Sequence, residues 1–361
     1  MLEENLSRMS PNSYLSGNNK NARHILRRWS NLKLSVAVSL GISLCCLLVY
    51  CSLCSSPFST TTKLLLSPEE DPELVRVLRS TAFATAGRRS KSTVILTMIN
   101  KAWVERGSIV DVFLEGFSVG DGTQELVKHL VIVALDQKAY ERCQEIHPHC
   151  YALTTPGVNF TGDATFMTQE YLLVVWRRID FLGSVLRLGY NFVSTDADIV
   201  WFRNPFPRFH EDADFQVSCD MHLGDDSNRD NLPNTGFTFV RSNPRTVRFY
   251  QHWYRSKDRF PGEHDQDVFN RIKFDDDDAA IGGLKMRFLD TAYFGGFCEP
   301  VKDLNVACTM HANCCVGLDT KVHDLRNLLR DWKRFSALPP ESRNGVSFDW
   351  TGYSPPFRCR A

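Results

Sequence analysis

The stretch Gly189-Tyr190-Asn191-Phe192-Val193-Ser194-Thr195-Asp196-Ala197-Asp198-Ile199-Val200-Trp201-Phe202-Arg203-Asn204-Pro205 decides the fold. It reads as a short apolar strand that ends in Asp-Ala-Asp, re-enters an apolar run and stops at a proline. Open α/β sheets bind ligands outside the carboxyl ends of their strands, so Asp196 and Asp198 stand where a ligand site is expected. Hard divalent cations take oxygen ligands, and Mg²⁺ or Mn²⁺ bridges a few carboxylates to substrate phosphates. A lone Asp-x-Asp triplet is more often a solvated turn. The flanks argue against that reading here, because Phe192-Val193 and Ile199-Val200-Trp201-Phe202 are residues of a core. A carboxylate held among them is costly unless it is paired or bound to metal. This chemistry suits a protein that handles a nucleotide diphosphate.

Working outward, Thr93-Val94-Ile95-Leu96-Thr97-Met98-Ile99 and Leu130-Val131-Ile132-Val133-Ala134-Leu135-Asp136 are unbroken β-favouring runs, as expected of parallel strands buried on both faces. Residues 109–117 and 137–146 fit helices. Residues 168–188 carry Leu172, Val175, Ile179, Leu182 and Leu186 at helical spacing and lead into the motif strand. Residues 214–219 and 238–240 read as strands, and 246–255 as a helix. Strands alternating with helices predict an α/β fold with a mostly parallel sheet and helices on both faces.

The chain has 361 residues, 43% hydrophobic, enough for one large core. Lys+Arg and Asp+Glu both number 42, and no basic stripe appears beyond the N-terminal tail, which argues against nucleic acid as a partner. Residues 34–53 carry no charge, and as a helix would span about 30 Å, the thickness of a bilayer core. Arg23, Arg27, Arg28 and Lys33 precede this span, and no charge follows until Lys63, which predicts a cytosolic N-terminus and a lumenal remainder. A cleaved signal peptide is the rival, but the tail ahead of the span is long for one. The expected organisation is a disordered tail at 1–33, a membrane anchor at 34–54, a Ser/Thr- and Pro-containing stem at 55–91 with a short helix over 73–78, and a folded domain at 92–361.

Beyond the anchor lie Cys143, Cys150, Cys219, Cys298, Cys308, Cys314, Cys315 and Cys359, an even set that suggests disulfides in an oxidising lumen. Cys143 with Cys150 is the easiest local pair; zinc on Cys308, Cys314 and Cys315 is the alternative, without a matched second arm. Asn159-Phe160-Thr161 is a glycosylation sequon.

Further candidates follow the motif. Asn234-Thr235-Gly236-Phe237 is either a tight turn or a place where backbone approaches a ligand. Asp265, after Pro261-Gly262 and before Gln266, reads first as a helix N-cap. Asp275-Asp276-Asp277-Asp278 reads as a solvated loop, lacking the glycine and terminal glutamate of a calcium loop. His311 is either a structural histidine or a third metal ligand beside Asp196 and Asp198. Lys321 would hold a diphosphate as a point charge. Of Arg177 and Arg178 on the long helix, Arg178 is assigned to the phosphates and the other to solvent.

The Asp-Ala-Asp strand, Trp201-Phe202-Arg203-Asn204-Pro205, Asn234-Thr235-Gly236-Phe237, His264-Asp265-Gln266-Asp267 and Met310-His311-Ala312-Asn313-Cys314-Cys315-Val316-Gly317 together resemble the plant nucleotide-diphospho-sugar transferases of glycosyltransferase family 77. The resemblance runs in order over residues 92–331. It implies a GT-A fold of Rossmann type, a Golgi membrane protein of type II topology, retention of configuration and a nucleotide-sugar donor, UDP-linked. Family members include pentosyltransferases acting on cell-wall glycoproteins and pectin, so a glycan or glycoprotein acceptor is implied. Carried over by motif, Asp198 binds Mn²⁺ (or Mg²⁺) directly, Asp196 binds metal or ribose, and His311 completes the metal shell. Lys321 lies farther from its histidine than in the best-known form of that motif. Thr97 and Asn100 meet the nucleotide by topology alone. Asp265, with Gln266 beside it, is the best acidic group near the acceptor. Two other readings stand beside a transferase: an inactive relative serving as a scaffold in a homo- or hetero-oligomeric Golgi complex, and a metal-dependent phosphohydrolase, which would show more clustered His and Asp ligands.

Overall fold

A computed structural model describes residues 71–84, 92–155, 167–275, 281–343 and 358–359. The expected tail and anchor, the sequon at Asn159, and Asp276, Asp277 and Asp278 of the acidic run lie outside the described residues.

Helix α1 (Pro72–Thr81) begins after Asp71, whose side chain accepts from the Glu73 N–H at 2.9 Å, with Pro72 where no N–H is missed. Leu74, Val77 and Leu78 are buried in the core, and the Tyr151 hydroxyl donates to Asp71 at 3.0 Å. The segment read as stem therefore reaches into the folded domain, which includes Asp71 and does not start at Ser92.

The strands are β1 (Phe83–Ala84), β2 (Ser92–Ile99), β3 (Leu130–Ala134), β4 (Cys150–Ala152), β5 (Asn191–Thr195), β6 (Ile199–Trp201), β7 (Phe215–Met221), β8 (Leu232–Val240), β9 (Met286–Phe288), β10 (Phe294–Gly296) and β11 (Thr309–His311). The main sheet runs β4-β3-β2-β5-β8-β7-β9, with β1 paired antiparallel to the start of β2. All of that path is parallel except β8, which runs against both β5 and β7. The apolar runs explain the burial. Val94, Leu96, Val131, Val133 and Phe192 point into one core layer, while Ile95, Ile99, Leu130, Ile132 and Val193 point into the other.

One layer is closed by α1, α4 (Gln169–Arg187), α5 (Pro244–Ser256) and α6 (Asp265–Ile272). The other is closed by α2 (Ile109–Val119), α3 (Gln137–Ile146), α7 (Leu318–Ser336) and a small sheet ordered β10-β11-β6. The motif thus links two sheets: β5 ends at Thr195, and β6 starts at Ile199 in the small sheet.

Two local expectations change. Residues 238–240 are the end of a longer strand, so Asn234, Thr235 and Gly236 lie within β8 rather than in a turn. The N-cap of α6 is His264, which accepts from the Asp267 N–H at 3.4 Å, leaving Asp265 as the first helical residue. Disulfides join Cys143–Cys150, Cys298–Cys314 and Cys315–Cys359. The last two consume Cys314 and Cys315, which removes the zinc alternative, and Cys219 and Cys308 are buried thiols.

Candidate active site

The small sheet brings the distant histidine to the motif. β11 pairs antiparallel with β6, placing His311 opposite Ile199, and the Ala312 N–H donates to the Asp198 carbonyl at 3.0 Å. His311 Nε2 lies 3.1 Å from Asp198 Oδ1 and 4.0 Å from Asp196 Oδ2. One ligand atom from each of Asp196, Asp198 and His311 lies within 4.8 Å of the others, a group able to hold a metal ion. Asp198 Oδ1 is buried, and its contact with His311 Nε2 is an ion pair. Buried carboxylates are costly unless they are paired or bind a metal, and two carboxylates with an imidazole are the oxygen and nitrogen donors that fit a divalent ion.

Lys321, in the first turn of α7, places Nζ 2.7 Å from Asp198 Oδ2. That helix starts at Gly317, whose φ of +94° a side chain would strain. Burial alone would push the Asp198 carboxyl up. Lys321 and His311 override it and hold the group well below the usual carboxylate range. Burial likewise opposes charge on His311, and Asp198 and Asp196 outweigh it, raising the imidazole pKa.

Asp196 is held from the other side. Its N–H donates to the Gly236 carbonyl at 2.7 Å, and Arg178 Nη1 donates to its Oδ1 at 2.7 Å. Arg178 Nη2 donates to Asp265 Oδ2 at 2.6 Å, and the Thr235 hydroxyl donates to the same oxygen at 3.1 Å. In this structure Arg178 is thus spent on two carboxylates and is not a free anion binder. Desolvation works against its charge, but Asp265 and Asp196 keep it protonated. Gly236 is required by close approach: a Cβ there would stand 2.6 Å from His311 Cε1 and 2.7 Å from Asp196 Oδ2.

Gln266 accepts from the Thr235 N–H at 3.2 Å through Oε1 and donates from Nε2 to Asp220 at 3.0 Å. Thr97 lies near the end of β2 and Asn100 just after it, on the neighbouring strand: Leu96 pairs with Ser194, so both lie toward the carboxyl edge that carries Asp196. Asp275 of the acidic run pairs with Arg259 at 3.2 Å, as a surface residue does. Three residues of the site were not singled out from the sequence. Tyr171 lies one face along α4 from Arg178, its hydroxyl pKa pushed up by burial and by Asp265. Asp220 and Asn313 meet at 2.6 Å. Their only sequence signal is position: Asp220 near the end of a strand, Asn313 two residues after His311.

Residues 125–325, the span from just before β3 into α7, match the family model of the nucleotide-diphospho-sugar transferases. The chain is 52% identical over 267 residues to an uncharacterized protein of Arabidopsis thaliana, covering 74% of this chain and 70% of that one. It is 40% identical over 284 residues to a second uncharacterized Arabidopsis thaliana protein, covering 77% and 82%. A third relative, the UDP-D-xylose:L-fucose alpha-1,3-D-xylosyltransferase 3 of Arabidopsis thaliana, is 24% identical over 284 residues, covering 72% and 69%. Asp196, Asp198, Asp265, His311 and Lys321 all fall inside the matched span. The chain belongs to the nucleotide-diphospho-sugar transferase family and is a nucleotide-sugar-dependent glycosyltransferase.

Proposed function

We propose that this transferase is a retaining, metal-assisted enzyme of the family 77 and GT-A type that moves a pentose from a UDP-linked donor to a cell-wall glycan or glycoprotein. The observation that carries the metal part is the convergence of one ligand atom each from Asp196, Asp198 and His311 around a buried Asp198 carboxylate. The donor class draws support from the xylosyltransferase relative.

Asp196, Asp198 and His311 would hold Mn²⁺ or Mg²⁺. Bound there, the ion supplies Lewis-acid stabilisation of the charge that builds on a departing diphosphate. Lys321 brings a second positive charge on a flexible stem from the same side. Thr97 and Asn100 sit where the nucleoside of a donor on this sheet edge is expected. Arg178 bridges Asp265 and Asp196 with one N–H to each, and so fixes the spacing of the two carboxylates. In the reaction, the bond from the sugar's anomeric carbon to the phosphate oxygen breaks. The acceptor oxygen bonds that carbon on the same face, and the acceptor proton passes to the departing phosphate.

The reading extends to place: a type II anchor at residues 34–54 would put this site in the Golgi lumen. Turnover of a panel of nucleotide pentoses and hexoses by the full-length protein in detergent, with Mn²⁺ and with chelator, tests the chemistry. Release of free UDP from a nucleotide pentose only with the ion present supports it. Nucleotide binding without turnover of any donor would favour the scaffold. Carbonate extraction tests the anchor, and release of the full-length chain into the supernatant would refute it.

A further inference from the structure

At the end of β7, Asp220 meets three carboxamides, and among the described residues it has no salt-bridge partner. Asn234 Nδ2 and Asn313 Nδ2 donate to Asp220 Oδ1 at 2.8 and 2.6 Å, and Gln266 Nε2 donates to Oδ2 at 3.0 Å. A carboxylate only accepts, so each of the three amides must turn its nitrogen inward. Each amide oxygen then faces outward, and each finds a backbone donor. Gln266 Oε1 accepts from the Thr235 N–H at 3.2 Å, Asn234 Oδ1 from the Gly236 N–H at 3.0 Å, and Asn313 Oδ1 from the Cys298 N–H at 3.2 Å. One charge therefore sets the orientation of three side chains and the seating of three backbone groups.

Those side chains come from separate parts of the site. Gln266 follows Asp265 at the start of α6, Asn234 precedes the Gly236 floor under Asp196, and Asn313 follows His311 by two residues. Asn313 also packs so tightly on β10 that a side chain at Gly296 would collide with it. Each amide spends one N–H on Asp220 and keeps a second. Gln266 is the partly exposed one, while Asn234 and Asn313 are 7% and 8% exposed.

We propose that Asp220 is a positioning residue: it locks Gln266, Asn234 and Asn313 in one polarity and so ties the Asp265 helix to the His311 segment, leaving the Gln266 amide to meet the hydroxyls of the bound sugar. This deepens the proposed transferase reading and rests on it for the sugar contact, but not for the lock itself.

The experiment uses the full-length protein with three variants: Asp220→Asn, Gln266→Met and the double variant. Asp220→Asn keeps the size, removes the charge and turns one of the two acceptor oxygens into a donor that faces amide N–H groups. Two readouts are taken. The first is hydrogen exchange by mass spectrometry of peptides holding Thr235, Gly236 and Cys298, which needs no substrate. Exchange at all three should accelerate together in Asp220→Asn, and unchanged exchange would overturn the lock. The second is turnover of UDP-xylose with UDP affinity in Mn²⁺ measured beside it. A displacement of about 1 Å at a reacting sugar costs on the order of 100-fold in rate, so kcat should fall about 100-fold in Asp220→Asn while UDP affinity and KM move less than about threefold. Gln266→Met should fall equally, and the double variant no further, because both act through one contact. Losses that multiply would place Asp220 on the substrate itself, and a fall in UDP affinity matching that in kcat would reduce it to a structural role. Either outcome overturns the proposal. Wild-type protein that turns over no donor while exchange responds as expected would refute the sugar contact and the transferase reading, yet leave the lock standing.

Discussion

Replacing Asp198 by asparagine is the sharpest perturbation of the metal group, because the side chain keeps its size and loses one charge. Asp198 touches Lys321 at 2.7 Å and His311 at 3.1 Å from within the core. At an effective dielectric of about 20, a unit pair at the first distance interacts by about 6 kcal/mol before desolvation is subtracted. Removing one partner of such a buried pair costs about 3–5 kcal/mol. Carried to ion binding, about 3 kcal/mol is on the order of 100-fold in affinity. Asp198→Asn should therefore weaken UDP binding in Mn²⁺ by about 100-fold or more. Without metal the sign should reverse or vanish, since Lys321 is released from Asp198 and becomes free to meet the diphosphate. His311→Ala should lose less, because water can replace a neutral ligand. Asp276→Asn, in the acidic run, should lose nothing. Titration calorimetry of UDP with and without Mn²⁺ reads all of these, with circular dichroism confirming the fold. Unchanged affinity in Asp198→Asn, or a large loss in Asp276→Asn, would refute the reasoning.

Gly236→Ala should abolish Mn²⁺-dependent UDP binding, because its Cβ would stand 2.6 Å from His311 and 2.9 Å from Asn234 Oδ1; wild-type affinity would mean the site has room that the structure denies it. Leu74→Ala should lower stability by about 2–5 kcal/mol in denaturant titration, since Leu74 is fully buried in α1; no loss would return residues 72–81 to the stem. Asp214 is bound by Arg245 at 2.8 Å twice and by Asn243 at 2.9 Å, and these outweigh burial to hold its pKa below the ordinary value. A depressed carboxylate contributes stability above its unfolded pKa of about 3.9 and loses it as pH falls through the folded value. Asp214→Asn should then cost about 1–3 kcal/mol at neutral pH, with the gap to wild type closing below pH about 4; a gap independent of pH would contradict the pairing.

What the sequence made legible follows its periodicity. The runs at 93–99 and 130–135 show as strands because both their faces are buried, and the long helix before the motif shows because its apolar residues keep one stripe. Length and polarity hid the rest. β8 contains Pro233, Asn234 and Gly236, residues of turns, and only the site explains them: Gly236 is there because a Cβ would strike His311 and Asp196. α7 buries Asp324, Asn327 and Asp331 beside its leucines, which blurs its apolar stripe. Residues 73–78 are legible as a short helix, but nothing in so short a segment shows that it packs on the core rather than belonging to a stem. Within the site, Asp196 and Asp198 were visible as a motif, but the approach of His311 depends on β11 pairing with β6, a register no spacing encodes. The charge of Arg178 on the helix before the motif points to phosphate, and the structure pairs it with two carboxylates. Its partners Asp196 and Asp265 lie 18 and 87 residues away, and the packing of α4 against β5 and α6 brings them together. Asp220 carries no motif at all; its role lies wholly in its neighbours.

The account stands or falls on whether the Asp196, Asp198 and His311 group drives sugar transfer with a metal ion. Full-length protein given UDP-xylose, with free UDP quantified over time, tests it most directly. Release should appear with Mn²⁺, stop with chelator, return when the ion is restored, and be absent from Asp198→Asn under every condition. Release that ignores the chelator, or that survives in Asp198→Asn, would contradict it.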